Sequence, residues 1–183
     1  MQRLCPVCEK RYDEDVIKCP DDGEYTIEVP EDLATKLVGT TLDGRWLIEE
    51  TLGEGGMGAV FRGRQENLDR PVAIKVLRAE VSGSDKIVAR FMREARVLSR
   101  LNNPHVVTIF DFGRDSETGL LYLVMELLDG KPLGKWWSED ADQTIDQALM
   151  IIEQIAKGLD EAHAQDIIHR DLKPDNIFVS PVA

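Results

Sequence analysis

The chain has 183 residues, 43% hydrophobic and 31% charged, enough for one medium domain with a small appendage and ordinary for a folded globular protein. Its 34 acidic against 22 basic side chains leave a formal net charge of −12, a field that repels polyanions and argues against a general nucleic-acid or anionic-membrane binder. No apolar run approaches the ~20 residues that cross a bilayer, and the start Met1-Gln2-Arg3-Leu4-Cys5-Pro6 lacks the apolar core of a signal peptide, so a cytoplasmic chain is expected.

In chain order, a Cys- and Asp-rich unit comes first, over residues 1–28. Its cysteines, Cys5, Cys8 and Cys19, are the only ones in the chain, so they belong to a local site rather than to a disulfide framework. Residues 29–44, around Val29-Pro30-Glu31-Asp32, read as a polar linker. A second unit, 45–183, begins with short apolar runs at 46–52, 59–64 and 71–77 separated by Gly, Asn and Asp, the pattern of an antiparallel meander. A helix is expected from about Ser84 to Leu101, with Ile87, Phe91, Ala95 and Leu98 at helical spacing. Strands follow over 106–112 and 120–126. From Thr144 to Gln165, Ile145, Leu149, Ile152, Ile155, Ala156, Leu159 and Ala162 form one stripe of an amphipathic helix. No repeat or low-complexity tract interrupts this order.

Three motifs carry chemistry. Gly53-Glu54-Gly55-Gly56-Met57-Gly58-Ala59-Val60 fits G-x-G-x-x-G-x-V between two strands, where missing side chains let backbone amides approach phosphate oxygens. Because Val60-Phe61 continues as a strand, the motif reads as a flap over phosphates and not as the strand-to-helix turn of a dinucleotide fold. Val72-Ala73-Ile74-Lys75 then places an ammonium among apolar neighbours, where it needs an anionic partner: nucleotide phosphates, or Glu94 on the following helix. Finally His169-Arg170-Asp171-Leu172-Lys173-Pro174-Asp175-Asn176 combines an acid, a lysine and an amide at spacings that suit a hydroxyl-orienting base, a phosphate clamp and a metal ligand.

Together these motifs resemble the protein kinases, and the resemblance covers about residues 46–183. It implies an α+β, protein-kinase-like fold: a five-stranded antiparallel N-lobe (45–125) with its helix, a hinge (126–130) and the beginning of a helical C-lobe (131–183). It implies ATP held by Leu52, Gly53, Gly55, Gly56, Gly58, Val60, Ala73, Lys75, Glu94, Met125 as gatekeeper, the backbone of Glu126 and Leu128, Asp129 toward the ribose, and Phe178. Asp171 would take or orient the substrate hydroxyl proton, Lys173 steady the transferring phosphate, and Asn176 ligate Mg2+. Lys173 two residues after the aspartate implies serine and threonine substrates on proteins. The Gly-Glu-Gly-Gly-Met-Gly flap and the cysteine appendage resemble the bacterial type, and Arg170 implies an activation segment ordered by phosphorylation. His169 is expected as a packed, hydrogen-bonded histidine of the loop.

The Asp-Phe-Gly that binds magnesium in kinases follows the catalytic loop. The tripeptide Asp111-Phe112-Gly113 precedes it and is expected to be a strand segment with no metal role. No such motif follows Asn176 in the 183 residues, so a truncated kinase with little or no turnover is expected. The alternative is a non-catalytic nucleotide-binding or scaffold fragment. Cys5-Pro6-Val7-Cys8 and Cys19-Pro20-Asp21-Asp22 look like two knuckles of a zinc ribbon, with Asp22 spaced as fourth ligand and Asp21 or water as substitutes. Thiols in a short tail are the other reading. A metal-bound ribbon would be a module for an unidentified partner.

Overall fold

The computed structural model describes residues 2–5, 11–29, 36–55, 58–78, 85–139, 143–169 and 171–180. Cys8, Gly56, Arg170 and residues 30–35 of the expected linker lie outside the described residues. In the N-terminal unit, β1 (Gln2–Leu4), β2 (Arg11–Asp13) and β3 (Ile27–Val29) form an antiparallel sheet in the order β2-β1-β3.

The larger sheet has six strands: β4 (Thr41–Leu42), β5 (Trp46–Gly55), β6 (Gly58–Gln65), β7 (Arg70–Leu77), β8 (Ile109–Arg114) and β9 (Leu121–Glu126). Their order is β4-β5-β6-β7-β9-β8, each neighbouring pair antiparallel. Alternation along the strands separates two faces. Ile48, Phe61, Val72, Ile74, Val76 and Val124 are buried on one, while Val60, Lys75 and Leu123, aligned across β6, β7 and β9, are half-buried on the other. At roughly 1.5–3 kcal/mol per fully buried apolar side chain, the first face is the main source of cohesion.

Five strands were expected and six are present, because the stretch read as linker contributes β4. Leu37 and Leu42 are buried with Trp46 in the main core. The signal was in the sequence: Asp43-Gly44, with φ of 46° and 62°, makes the tight turn between β4 and β5, and Asp-Gly between apolar residues is a strong hairpin mark. Although β4 and β8 are the two edges of the sheet, the turns beside them meet. The Asp43 amide donates to Asp115 Oδ1 at 2.8 Å, the Ser116 amide to Asp43 Oδ1 at 3.1 Å, and the Tyr122 hydroxyl to Asp43 Oδ2 at 2.6 Å. The sheet is therefore curled on itself, which protects edges that would otherwise offer unpaired backbone.

Helix α1 (Asp85–Leu98) packs on β8 and buries Ala95. A short helix α2 (Leu133–Glu139) follows the hinge, and α3 (Ile145–Ala164) opens with a capping box, Thr144 Oγ1 accepting from the Gln147 amide and Gln147 Oε1 from the Thr144 amide. One side of α3 packs inward through Gly158, where a Cβ would stand 3.0 Å from the His105 carbonyl oxygen. The other side is bare, with Ile145 at 80% and Ile152 at 60% exposure. So the expected apolar stripe is real, but it divides into a packed half and an exposed half. No helix among the described residues is long and apolar enough to cross a membrane.

Candidate active site

The glycine-rich hairpin joins β5 to β6 with Gly53 opposite Val60 and Gly55 opposite Gly58. Its glycines have different reasons. A Cβ at Gly58 would overlap the Val76 carbonyl oxygen, so packing alone demands glycine there; a Cβ at Gly53 or Gly55 meets nothing within 4 Å. Among the described residues no packing contact demands glycine at 53 or 55, and both positions leave the backbone open to approach. Leu52 is exposed on β5 beside them.

Register sets the rest of the nucleotide face. Val60 lies opposite Lys75, Lys75 opposite Leu123, and Ala73 opposite Met125. Ala73 is buried and Val60, Lys75 and Met125 are half-buried. The hinge begins where β9 ends: the Glu126 amide donates to the Thr108 carbonyl at 3.0 Å and Glu126 Oε1 accepts from the Thr108 amide at 2.7 Å. Thus the Glu126 amide is committed to the sheet, and the chain leaves the sheet at Leu127 and Leu128. Asp129 is exposed, and Phe178 is partly exposed on the ribbon after the catalytic loop. A cavity of 280 Å³ lies elsewhere, between Leu37–Leu42 and Asp115–Leu120, and none of the nucleotide residues lines it.

Lys75 and Glu94 do not meet. Glu94 is exposed and accepts from Arg90 Nε at 2.7 Å, one helical turn earlier, while among the described residues no ion pair is recorded for Lys75. A neighbour at i−4 on the same helix reaches the carboxylate without any rearrangement of α1, so the local pair prevails over the one across the sheet.

The catalytic loop is carried back to the hinge by a two-stranded ribbon. β10 (Lys131–Pro132) pairs with β11 (Phe178–Val179), and the Leu133 amide donates to the Ile177 carbonyl at 2.7 Å. Gly130, at φ 149°, is needed because a side chain there would run into the Val179 carbonyl oxygen. From the sequence Gly130 falls only in the hinge range; its packing role comes from pairing that no local pattern announces. Between ribbon and α3, Pro174–Asn176 form a 3-10 turn. That turn folds Asn176 onto Asp171: Asn176 Nδ2 donates to Asp171 Oδ2 at 2.9 Å and to its carbonyl at 2.7 Å. Lys173 Nζ stands 3.2 Å from Asp171 Oδ2. Hydrogen bonding from Lys173 first, then from Asn176, holds the Asp171 carboxyl below its ordinary range. His169 is exposed, in place of the packed histidine expected, and its Nδ1 accepts from the Asp171 amide at 3.4 Å.

Asp111-Phe112-Gly113 sits within β8, as expected. Asp111 Oδ2 accepts from Trp46 Nε1 at 3.1 Å and pairs with Arg45 at 2.9 Å, and a Cβ on Gly113 would stand 2.8 Å from the Tyr122 hydroxyl oxygen. These residues close the curled sheet.

In the N-terminal unit three of the four expected ligands converge: Cys5 Sγ, Cys19 Sγ and an Asp22 carboxylate oxygen lie within 4.8 Å of one another. Asp21 stands beside them, its Oδ2 accepting from the Tyr12 hydroxyl at 3.2 Å.

Comparison with known proteins matches the protein kinase domain over residues 46–182. The chain is 39% identical to serine/threonine-protein kinase pkn3 of Myxococcus xanthus over 165 residues, covering 90% of the chain and 28% of that protein. It is 38% identical to PknA of Mycobacterium tuberculosis over 79% of the chain and 34% of that protein. With PrkC of Bacillus subtilis the identity is 37% over 78% of the chain and 22% of that protein. The chain thus spans about a quarter to a third of the length of these curated relatives. Among solved structures, the PknI kinase domain of Mycobacterium tuberculosis superposes with a TM-score of 0.67 at 29% identity, over 78% of the chain and 58% of that domain's chain.

Proposed function

The chain belongs to the protein kinase family, and from that premise we propose that residues 45–183 carry the nucleotide lobe and catalytic loop of an enzyme for Mg2+-dependent transfer of the γ-phosphate of ATP to serine and threonine hydroxyls of proteins. One observation carries the reading: Asp171, Lys173 and Asn176 gather within 3.2 Å on a loop whose far end pairs with the strand leaving the hinge. Nucleotide and hydroxyl sites are thereby tied to one short stretch of backbone.

The residues suit the reaction. Phosphoryl transfer passes through a loose transition state in which the hydroxyl proton leaves late, so positioning matters more than basicity. An Asp171 carboxylate held ionised by Lys173 and Asn176 is a poor base but a dependable acceptor that aims the hydroxyl. The Lys173 ammonium balances charge on the moving phosphate. Asn176 spends its amide nitrogen on Asp171 and has no recorded partner for Oδ1, a hard oxygen of the type Mg2+ takes. Mg2+, when bound, supplies charge neutralisation at the phosphate oxygens. Gly53, Gly55 and Lys75 hold the phosphates, Val60, Ala73 and Phe178 sandwich the adenine with Met125 as gatekeeper, and Glu94 steadies Lys75 once α1 turns toward the sheet. Cys5 and Cys19 as thiols and the need for ATP support a cytoplasmic setting for this work.

The test uses the 183-residue chain. Mg·ATP binding followed by calorimetry is expected, weakened at least about tenfold in Lys75→Met. Transfer of labelled γ-phosphate to serine or threonine, abolished in Asp171→Asn while nucleotide binding persists, would support turnover; binding without transfer would favour a nucleotide-binding scaffold. Absence of nucleotide binding sinks both. The N-terminal thiols carry a separate cofactor reading, Zn2+ at Cys5, Cys8, Cys19 and Asp22, in a module that docks a partner.

A further inference from the structure

The N-terminal unit lacks what holds the rest of the molecule together. Among its residues whose side chains are described, the buried ones are Cys5, Cys19 and Thr26, with no buried aliphatic or aromatic group. Below about 40 residues, a unit needs disulfides, metal or assembly to fold. Cys5 and Cys19 are thiols, not halves of a disulfide.

The local backbone builds a metal knuckle. Cys19 opens a tight turn in which the Gly23 amide donates to the Cys19 carbonyl at 2.9 Å and the Cys19 amide to the Glu24 carbonyl at 2.8 Å. Gly23, at φ 75°, supplies the left-handed residue that turn needs. The turn swings Asp22 back over the cysteines: its Oδ2 lies 3.2 Å and its Oδ1 3.5 Å from Cys5 Sγ. Zn–S bonds of about 2.3 Å and Zn–O bonds of about 2.0 Å at the tetrahedral angle put ligand atoms roughly 3.5–3.8 Å apart. The cluster already has nearly that size. Outside it, the Tyr12 hydroxyl lies 3.0 Å from Cys19 Sγ, and the Glu24 amide donates to Asp22 Oδ1 at 3.0 Å. Such outer contacts orient a metal's ligands.

We infer that the Asp22 carboxylate, together with the Cys5 and Cys19 thiolates, ligates a structural Zn2+ whose binding replaces the missing apolar core and folds residues 2–29 independently of the nucleotide lobe. This rests on the zinc reading above, Asp22 included, and adds the folding role. Two thiols and a carboxylate at this spacing form a donor set of the kind Zn2+ takes, the thiols giving up their protons on binding. It also makes the site harder and more acid-labile than an all-thiolate one, since a proton competes for each ligand.

The experiment uses the reduced, metal-stripped 183-residue chain titrated with Co2+ and then Zn2+. Expected are the visible bands of a tetrahedral thiolate site, their loss on adding about one Zn2+ per chain, and amide-exchange protection in residues 2–29 only with metal. Asp22→Asn keeps the acceptor for the Glu24 amide while removing the charge, and should weaken Zn2+ binding at least about tenfold and shift the Co2+ bands. Cys19→Ser should abolish both. If the unaltered chain binds neither ion, the zinc reading falls and this inference with it. Tight binding that Asp22→Asn leaves unchanged in strength and spectrum would overturn the carboxylate assignment alone. Protection of residues 2–29 without metal would overturn the folding role.

Discussion

The six-stranded sheet and the three-stranded N-terminal sheet are both antiparallel, but they bury different chemistry. The large sheet closes over Ile48, Phe61, Val72, Ile74 and Val76, whereas the small one has Cys5, Cys19 and Thr26 as its buried described side chains. Hydrophobic cohesion grows with the area withdrawn from water, roughly 25 cal/mol per Å², and a three-stranded scrap has too little of it. On the inference drawn above, one chain stabilises the same secondary structure by area where it has area and by ligation where it does not.

The largest effect that would test this contrast is a cavity in the large sheet. Phe61→Ala should cost about 3–5 kcal/mol, read as a lowered denaturation midpoint by tryptophan fluorescence. All three tryptophans (Trp46, Trp136 and Trp137) lie outside the N-terminal unit. A strong zinc chelator added to the unaltered protein should leave that transition in place while releasing the small unit; a shift as large as that of Phe61→Ala would show the two sheets to be one cooperative block.

An intermediate effect belongs to the closure of the curled sheet. Burial pushes the Asp115 carboxyl up, but hydrogen bonds from the Thr118 hydroxyl and the Asp43, Thr118 and Glu117 amides outweigh it and hold the group below its ordinary value. A depressed carboxyl stabilises the fold above its unfolded pKa, about 3.9, and that advantage fades as pH falls through the folded value. Asp115→Asn should therefore cost about 1–3 kcal/mol at neutral pH, the difference from the unaltered chain narrowing as pH drops below about 4. A difference constant across that range would remove Asp115 as the titrating group.

The smallest effect sits on the surface. Arg90→Ala removes an exposed i,i+4 pair with Glu94, and because solvent screens that pair only a small change in the denaturation midpoint is expected. Because it also frees Glu94 for Lys75, Mg·ATP affinity should hold or rise; a fall in affinity would show that Arg90 itself supports the nucleotide.

Much of this was legible locally. The glycine hairpin, the Lys75 strand, the amphipathic helix after Thr144 and the catalytic loop are patterns of neighbouring residues, and each lies where its pattern implied. The strand role of Asp111-Phe112-Gly113 was legible from chain order alone. Other features were not. The linker hid β4 because its polar composition outweighed two leucines, and Leu37 and Leu42 found burial only against Trp46 and the far sheet edge. Glu94 was assigned to Lys75 on helical spacing, yet rotation of α1 about its axis is set by packing, and Arg90 was the nearer cation.

By itself, then, the sequence determined which elements carry the kinase motifs, since each motif is a short run whose spacing survives any packing, and it pointed to the neighbourhood of Cys5 and Cys19. Only the tertiary structure decided that the sheet's edges meet through Asp43, Asp115 and Tyr122, that Gly130 ties the catalytic loop to the hinge, and that Asp22 turns onto Cys5. The reason is physical: a run of residues specifies chemistry through covalent spacing, while contacts between distant segments depend on which surfaces bury together, and no local pattern carries that choice.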